Sequence, residues 1–159
     1  MDGQSENILA RLIRNTRVTA LGTLHDGAPN TAMVAVSFDD DFSAFHILIS
    51  RLGRHTRDME SDPRVSLLFT ETDDLRSDPQ TLARLSLNGT AEMLGGTDPE
   101  YDQVKSLYLA RFPSAGQLFS LGDFNLWRIR PRGGRFVAGF GRAFNVVPEA
   151  LKKASALNP

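Results

Sequence analysis

The order of apolar and polar positions along the chain predicts short strands, with helices inserted between them. Two apolar runs, at 18–24 and 30–38, flank Asp26-Gly27, a pair typical of tight hairpin turns. Further strand-like runs lie at 45–50, 64–71, 82–94, 125–131 and 135–146. Many short strands with hairpin signals indicate an antiparallel barrel, so we predict a mainly β fold of six or seven strands with flanking helices.

Helix signals interrupt this pattern in several places. Ser5 is placed to cap a first helix over 5–15, and a second short helix is predicted after Gly53. The segment 97–100, TDPE, has the pattern of a capping box and predicts a helix from there to about Arg111. A last helix is predicted over 147–157. We therefore predict a single domain over 1–159, with the barrel between residues 16 and 145.

Glycines mark three further features of the predicted sheet. Gly89 indicates a bulge or a close backbone approach within a strand. The triplet at 132–134, Arg-Gly-Gly, predicts the turn of a last hairpin. Gly139 and Gly141 are two apart, so on a strand they would leave one face bare. A planar ligand or a neighbouring strand at a barrel corner could lie against it, and the corner is the commoner explanation. An open barrel with such a face also needs covering, which favours a dimer.

Composition and charge narrow the classes of function. The 159 residues have a formal net charge of −1, so no global field attracts nucleic acid or an anionic membrane. The absence of cysteine excludes disulfides, thiolate metal sites and a cysteine nucleophile. No apolar run approaches the ~20 residues of a membrane span, and no signal peptide is evident. We expect a cytoplasmic protein without nucleic-acid or membrane partners.

The most unusual local feature is a cluster of cationic residues at the start of the second predicted helix. Arg51, Arg54, His55 and Arg57 lie at the positive end of the helix dipole, where each cation is disfavoured by about 0.3–1 kcal/mol. A bound anion would explain them, because helix N-termini and arginine side chains both bind phosphate well.

A solvated helix face is the alternative interpretation of the same segment. Arg54 is four residues from Asp58, and Arg57 is three or four from Glu60 and Ser61, so local pairs can form without any ligand. The residues alone slightly favour this solvated face.

Elsewhere the chain contains no evident catalytic machinery. His25, His46 and His55 have none of the spacings of a metal site, and there is no serine-nucleophile motif. Any redox chemistry would therefore need a cofactor.

Four segments in order resemble one known family. They are AMVAVSFD, ISRLGRHTRDMESDPRVSLLF, RLSLNGTAEML and DFNLWRIRPRGGRFVAGFGRA, which together span most of residues 7–145. They resemble the FMN-binding split-barrel superfamily of pyridoxamine 5′-phosphate oxidase-like proteins, with its heme-utilisation branch as the most similar subgroup. The resemblance implies a split β-barrel of the FMN-binding type and a homodimer with the cofactor at the subunit interface.

The resemblance also implies a set of cofactor-binding residues. They are Ala32, Met33, Val34, Ile49, Ser50, Arg54, His55, Arg57 and, from the partner chain, Arg84. Gly53 and His55 stand where the family has a serine and a lysine, so His55 would be only partly charged at neutral pH.

The function implied is that of an FMN-dependent oxidoreductase acting on an unknown small-molecule substrate. Vitamin B6 oxidation itself is disfavoured, because the family's RLHxR-type ending is absent and GFGRAFNV stands in its place. Two alternatives stay open: a heme-binding or heme-utilisation protein, and a non-catalytic dimeric scaffold.

Overall fold

The first hairpin forms where the turn signal predicts it. Strands β1, Val18–His25, and β2, Ala28–Ala35, pair so that Thr23 lies opposite Asn30. Between them, Asp26 and Gly27 have φ of 50° and 79°, as a tight turn with both central residues left-handed requires. The predicted hairpin is therefore confirmed.

The computed structural model describes residues 1–75 and 78–157, so residues 76, 77, 158 and 159 of the predicted domain lie outside the described residues. In the described part, six strands follow the first hairpin: β3 Ser37–Phe38, β4 Phe45–Ser50, β5 Arg64–Thr70, β6 Arg84–Leu94, β7 Phe124–Val137 and β8 Ala143–Val146.

These strands form one curled antiparallel sheet. Its order is β2-β1-β5-β6-β7-β4-β3, with β8 added beside β7, and every pair is antiparallel. The curl brings β2 within contact distance of β4. The predicted split-barrel fold is confirmed, with eight strands among the described residues instead of six or seven.

Helices pack against both faces of the curled sheet. In the described part the α-helices are α1 Gly3–Asn15, α2 Arg54–Ser61, α3 Tyr101–Arg111, α4 Gly116–Phe119 and α5 Pro148–Ser155. Short 3₁₀ turns lie at Pro79–Thr81 and Pro113–Ala115. None of the described helices is long and apolar enough to cross a membrane.

Two predicted helix caps are wrong. In α1 the capping residue is Asp2, whose carboxylate accepts a hydrogen bond from the Ser5 backbone N–H at 2.9 Å, so the helix begins before Ser5. In α3 the helix begins at Tyr101, well after Thr97. The expected capping box fails because the Glu100 carboxylate forms an ion pair with Arg128.

The last predicted hairpin is also wrong. Instead of turning at 132–134, β7 runs through this segment and pairs with β6 from Leu126 to Val137, with a bulge opposite Asn88 and Gly89. Gly134 is needed for close approach, because a Cβ there would lie 2.2 Å from the Ser86 carbonyl oxygen. The chain turns later, where Gly139 and Gly141 have φ of 137° and 72°. These two glycines therefore shape a turn and do not form a bare strand face.

The bulge at Gly89 confirms the prediction for that residue. A Cβ there would approach the Arg130 carbonyl oxygen to 2.8 Å, so the two strands come together at a position that only glycine fits.

The core consists of two layers of apolar side chains, one on each face of the sheet. The barrel interior includes Phe45, Phe69 and Phe136, all without solvent exposure, and α1 and α5 pack against it. A smaller cluster lies under α3, where Val104 and Tyr108 cover the other face of β4 and β7. The helices α1, α3 and α5 are held by these layers, and α2 lies at the end of β4 and against β1 and β2, where its Met59 joins the main core.

Candidate functional site

The segment between β4 and α2 is held by Ser50. Its carbonyl oxygen accepts hydrogen bonds from the Gly53 N–H at 3.1 Å and from the Thr56 hydroxyl at 2.7 Å. Its own hydroxyl donates to the Asp123 carboxylate at 2.7 Å and accepts from the Leu52 N–H at 3.1 Å. The Ser50 hydroxyl, predicted as a cofactor contact, is thus already used within the protein.

The arginines of this segment remain exposed at the start of α2. The guanidinium groups of Arg51 and Arg54 have no hydrogen-bond or ion-pair partner in the described part of the chain, and that of Arg57 reaches only the Leu52 carbonyl, at 3.5 Å. The Arg54–Asp58 pair that would favour a solvated face does not form. Because α2 also has no acidic residue in its first turn, its positive end has no internal counter-charge.

His55 adds no charge to this group. Its ring folds back over Gly53, where a Cβ would lie 2.8 Å from the imidazole. Burial lowers the pKa of His55 below 6.5, and the nearby Asp58 carboxylate offsets only part of that effect. The imidazole is therefore mainly neutral at neutral pH, less charged than the sequence suggests. The missing side chain at residue 53 is what allows the ring to occupy this position.

A buried carboxylate on the same helix connects α2 to the first hairpin. Asp58 is 2% exposed and accepts hydrogen bonds from the Thr23 hydroxyl at 2.7 Å, the Asn30 amide at 3.0 Å and His25 Nδ1 at 2.7 Å. Burial would raise the pKa of Asp58, but these hydrogen bonds outweigh it and hold the pKa below its usual value. The Asp58 carboxylate is thus a buried anion, and both of its oxygens accept hydrogen bonds.

Sequence reasoning missed this cluster, although a signal for it existed. The turn at Asp26-Gly27 fixes a register in which Thr23 faces Asn30, and strand alternation places His25 on the same face as Thr23. What could not be seen was that Asp58, an acidic residue in a short polar helix, points toward that face.

The predicted residues on β2 divide between the two faces of the sheet. Val34 is 4% exposed and belongs to the barrel core. Met33, the preceding residue on the strand, points to the outer face and is 73% exposed. Ala32 is half-buried on the same side of the strand as Val34. The three side chains therefore do not form one continuous wall.

The remaining two predicted residues are not adjacent to the arginines. Ile49 is 6% exposed and packs in the barrel core. Arg84 donates to the carbonyl oxygens of Gln80 and Leu82, at the start of β6. Arg84 lies opposite Val137 and Ser50 opposite Phe124, about 40 Å apart along β7, so Arg84 does not join the site within one chain.

Comparison with known proteins agrees with this architecture. The profile of the family described as pyridoxamine 5′-phosphate oxidase matches residues 6–138. The chain belongs to this family.

Several similar proteins have names that refer to heme. The chain is 34% identical over 120 residues to the chloroplast heme oxygenase HOZ of Arabidopsis thaliana, covering 76% of this chain but only 35% of that protein. It is 28% identical over 153 residues to the heme oxygenase HutZ of Vibrio cholerae, covering 95% and 86% of the two chains. A solved heme-binding protein from Mycobacterium smegmatis matches with a TM-score of 0.84 at 26% identity, covering 96% of this chain and 62% of that one.

Proposed function

We propose that this family member binds heme, the alternative to FMN that the sequence left open. Heme binding is the property that the names of all three relatives share, whether they refer to oxygenation or to binding alone. An FMN-dependent oxidoreductase is the less favoured candidate for the same reason.

The observation that supports heme most directly is that several of the side chains expected to bind the FMN phosphate are not free to do so. FMN would need several donors at the start of α2, but the Ser50 hydroxyl is bonded to Asp123 and His55 is turned onto Gly53 with a lowered pKa. The guanidinium groups of Arg51 and Arg54 remain available there, together with the N–H groups in the first turn of α2, which has no side-chain cap.

Those two guanidinium groups suit a carboxylate as well as a phosphate. A carboxylate is planar and a phosphate is tetrahedral, and the oxygens of both accept paired hydrogen bonds from arginine. A heme propionate on Arg54 would give the helix terminus the counter-charge it lacks. Heme would supply the iron chemistry, and the protein would bind and orient it.

FMN stays a second candidate because the same unpaired arginines also fit its phosphate. The two ligands differ in what else they need: FMN needs a full set of phosphate donors, and heme needs an axial ligand and an apolar surface.

We also propose that the chain forms a homodimer through the outer face of strands β2, β1 and β5, which are neighbours at one edge of the sheet. Val18, Met33 and Leu68 are 52%, 73% and 42% exposed, and Met33 and Leu68 both lie beside Ala20 at one level of the sheet. A cluster of apolar side chains of this kind is typical of an interface. The cofactor at that interface, the small-molecule substrate and the cytoplasmic location stay predictions.

A titration with hemin, followed by absorbance in the Soret region, tests the proposed function. We expect a saturable spectral change with a fixed stoichiometry, and no heat or flavin quenching when FMN is added instead. Arg54→Ala should weaken hemin binding, whereas Arg64→Ala should not, because the Arg64 guanidinium is bonded to Asp62 at 2.9 Å. A tight FMN complex with no saturable hemin signal would contradict the proposal.

A further inference from the structure

A groove of about 660 Å³ crosses the outer face of the sheet, and we call it the outer groove. Its floor is one row of paired positions on the neighbouring strands β2, β1, β5 and β6, namely Thr31, Gly22, Ser66 and Asn88. This row lies about 7 Å along the strands from the row that contains Met33 and Leu68. The outer groove is therefore beside the apolar side chains of the proposed dimer surface.

Polar side chains on the floor of the outer groove are free to bond a ligand. The hydroxyls of Thr31 and Ser66 and the amide of Asn88 make no hydrogen bond within the described ranges 1–75 and 78–157. Each of these groups can both donate and accept. Gly22 keeps the space for one of them, because a Cβ there would lie 2.4 Å from the Ser66 Oγ atom.

The β-bulge between β6 and β7 adds a cation to the outer groove. The pairing with β6 passes from Gly133 directly to Pro131, so Arg132 is an extra residue without a partner on that strand. Its Nε donates to the Thr90 hydroxyl at 3.1 Å, whereas its Nη groups have no partner among the described residues. Bulges often re-aim a side chain beside a functional site, and here the bulge places Arg132 in the lining of the groove.

The charge of Arg132 is not balanced within the outer groove. None of the described residues that line the groove is acidic. Arg64, the other arginine of the lining, is bonded to the Asp62 carboxylate at 2.9 Å. Because a guanidinium with free Nη groups binds carboxylate or phosphate oxygens through paired hydrogen bonds, Arg132 is suited to hold one oxyanion.

We propose that the outer groove binds a small polyhydroxylated molecule with one anionic group, the chemistry of a sugar phosphate or a sugar acid. Arg132 holds the anionic group, and Ser66, Asn88 and Thr31 form hydrogen bonds with the hydroxyl groups. The volume of the groove falls in the range of about 300–1,000 Å³ that is usual for small-molecule sites. This inference goes beyond the proposed heme binding and does not depend on it.

Isothermal titration calorimetry with glucose 6-phosphate, glucuronate, glucose and inorganic phosphate tests the inference. We expect saturable binding of glucose 6-phosphate or glucuronate at millimolar concentration, and the tighter of the two identifies the anionic group. Glucose lacks the anion and inorganic phosphate lacks the hydroxyl groups, so each should bind at least about tenfold more weakly.

Three variants connect this binding to the outer groove. Arg132→Ala should weaken binding of the anionic sugar by about 10- to 100-fold, because charge-assisted hydrogen bonds are lost. Ser66→Ala removes one hydroxyl from the outer face and should weaken binding by about 2- to 10-fold. Arg130→Ala is the matched control and should bind like the wild type, because the Arg130 guanidinium is already bonded to Glu92 at 3.1 Å. Circular dichroism checks that the variants are folded.

Several results would overturn the inference. They are the absence of saturable binding for both anionic sugars, an unchanged affinity in Arg132→Ala, and inorganic phosphate that binds as tightly as glucose 6-phosphate. Binding that is lost in Arg54→Ala but kept in Arg132→Ala would place the ligand at the start of α2 and also overturn it. The hemin titration is read separately, so either proposal can fail while the other stands.

Discussion

His25 and Asp58 are joined by a 2.7 Å hydrogen bond that links the tip of the first hairpin to the middle of α2. The carboxylate also holds Thr23 and Asn30, so one buried side chain connects both strands of the hairpin to the helix that begins with the exposed arginines. The position of α2 on the barrel thus depends on a polar contact as well as on apolar packing.

Removing this carboxylate should destabilise the fold. In Asp58→Ala, Thr23 and Asn30 lose their acceptor in a buried position, and we expect a loss of about 2–4 kcal/mol in the free energy of unfolding. Urea denaturation followed by circular dichroism measures this difference.

Glu60→Ala is the matched control, because Glu60 is an exposed acid on the same helix. Its effect should stay within about 0.5 kcal/mol. Equal losses for the two variants would show that the buried cluster is not what holds α2.

Replacing Arg54 should have opposite effects on stability and on binding. A cation at a helix N-terminus is unfavourable, so Arg54→Ala should stabilise the ligand-free protein by about 0.3–1 kcal/mol. The same change should weaken binding of the anionic ligand by about 1.5–3 kcal/mol, because a charge-assisted hydrogen bond is lost. Thermal unfolding with and without hemin gives both values, and a destabilised ligand-free variant would contradict the account of this segment.

The proposed dimer predicts that a charge on the outer sheet face separates the subunits. Leu68→Asp places a carboxylate beside Ala20 and near Met33, so we expect sedimentation to show a dimer for the wild type and a monomer for the variant at micromolar concentration. Phe140→Asp is the control, because Phe140 is 84% exposed and belongs to the turn between β7 and β8, outside the three strands of that face. A dimeric Leu68→Asp protein would place the interface elsewhere.

His55 should make stability depend on pH in the weakly acidic range. Its folded-state pKa lies below 6.5, so as the pH falls the unfolded chain takes up this proton first, and stability is lost. Urea denaturation at pH 7.5 and 5.5 should therefore show a larger loss for the wild type than for His55→Gln, in which the residue cannot titrate. Equal losses in both proteins would mean that His55 is not held in a desolvated, neutral form.

Local sequence signals predicted those parts of the fold in which no distant contact competes with them. Asp26-Gly27 specifies its hairpin because both residues tolerate positive φ, and the helix after Gly53 forms as expected. The glycines at 133 and 134 have the same local preference for a turn, but pairing with β6, which continues on both sides of a bulge, overrides it. The capping box at Thr97 fails for a similar reason, since the distant Arg128 takes up the Glu100 carboxylate.

The candidate site was predictable only in part. Charge at the wrong end of a helix pointed to Arg54 from the sequence alone, and the structure shows that it has no counter-charge among the described residues. The cluster around Asp58 could not be predicted, because it joins residues 28 to 35 positions apart and depends on the rotation of α2 against β1 and β2.

Direct competition between hemin and FMN shows which of the two ligands this chain binds. The purified chain is mixed with hemin and FMN together, both in excess, and freed of unbound ligand by gel filtration; bound heme and bound flavin are then quantified per chain. The account predicts that heme is retained in a fixed stoichiometry, that flavin is not, and that Arg54→Ala retains less heme than Arg64→Ala. Retention of flavin with loss of heme would contradict it.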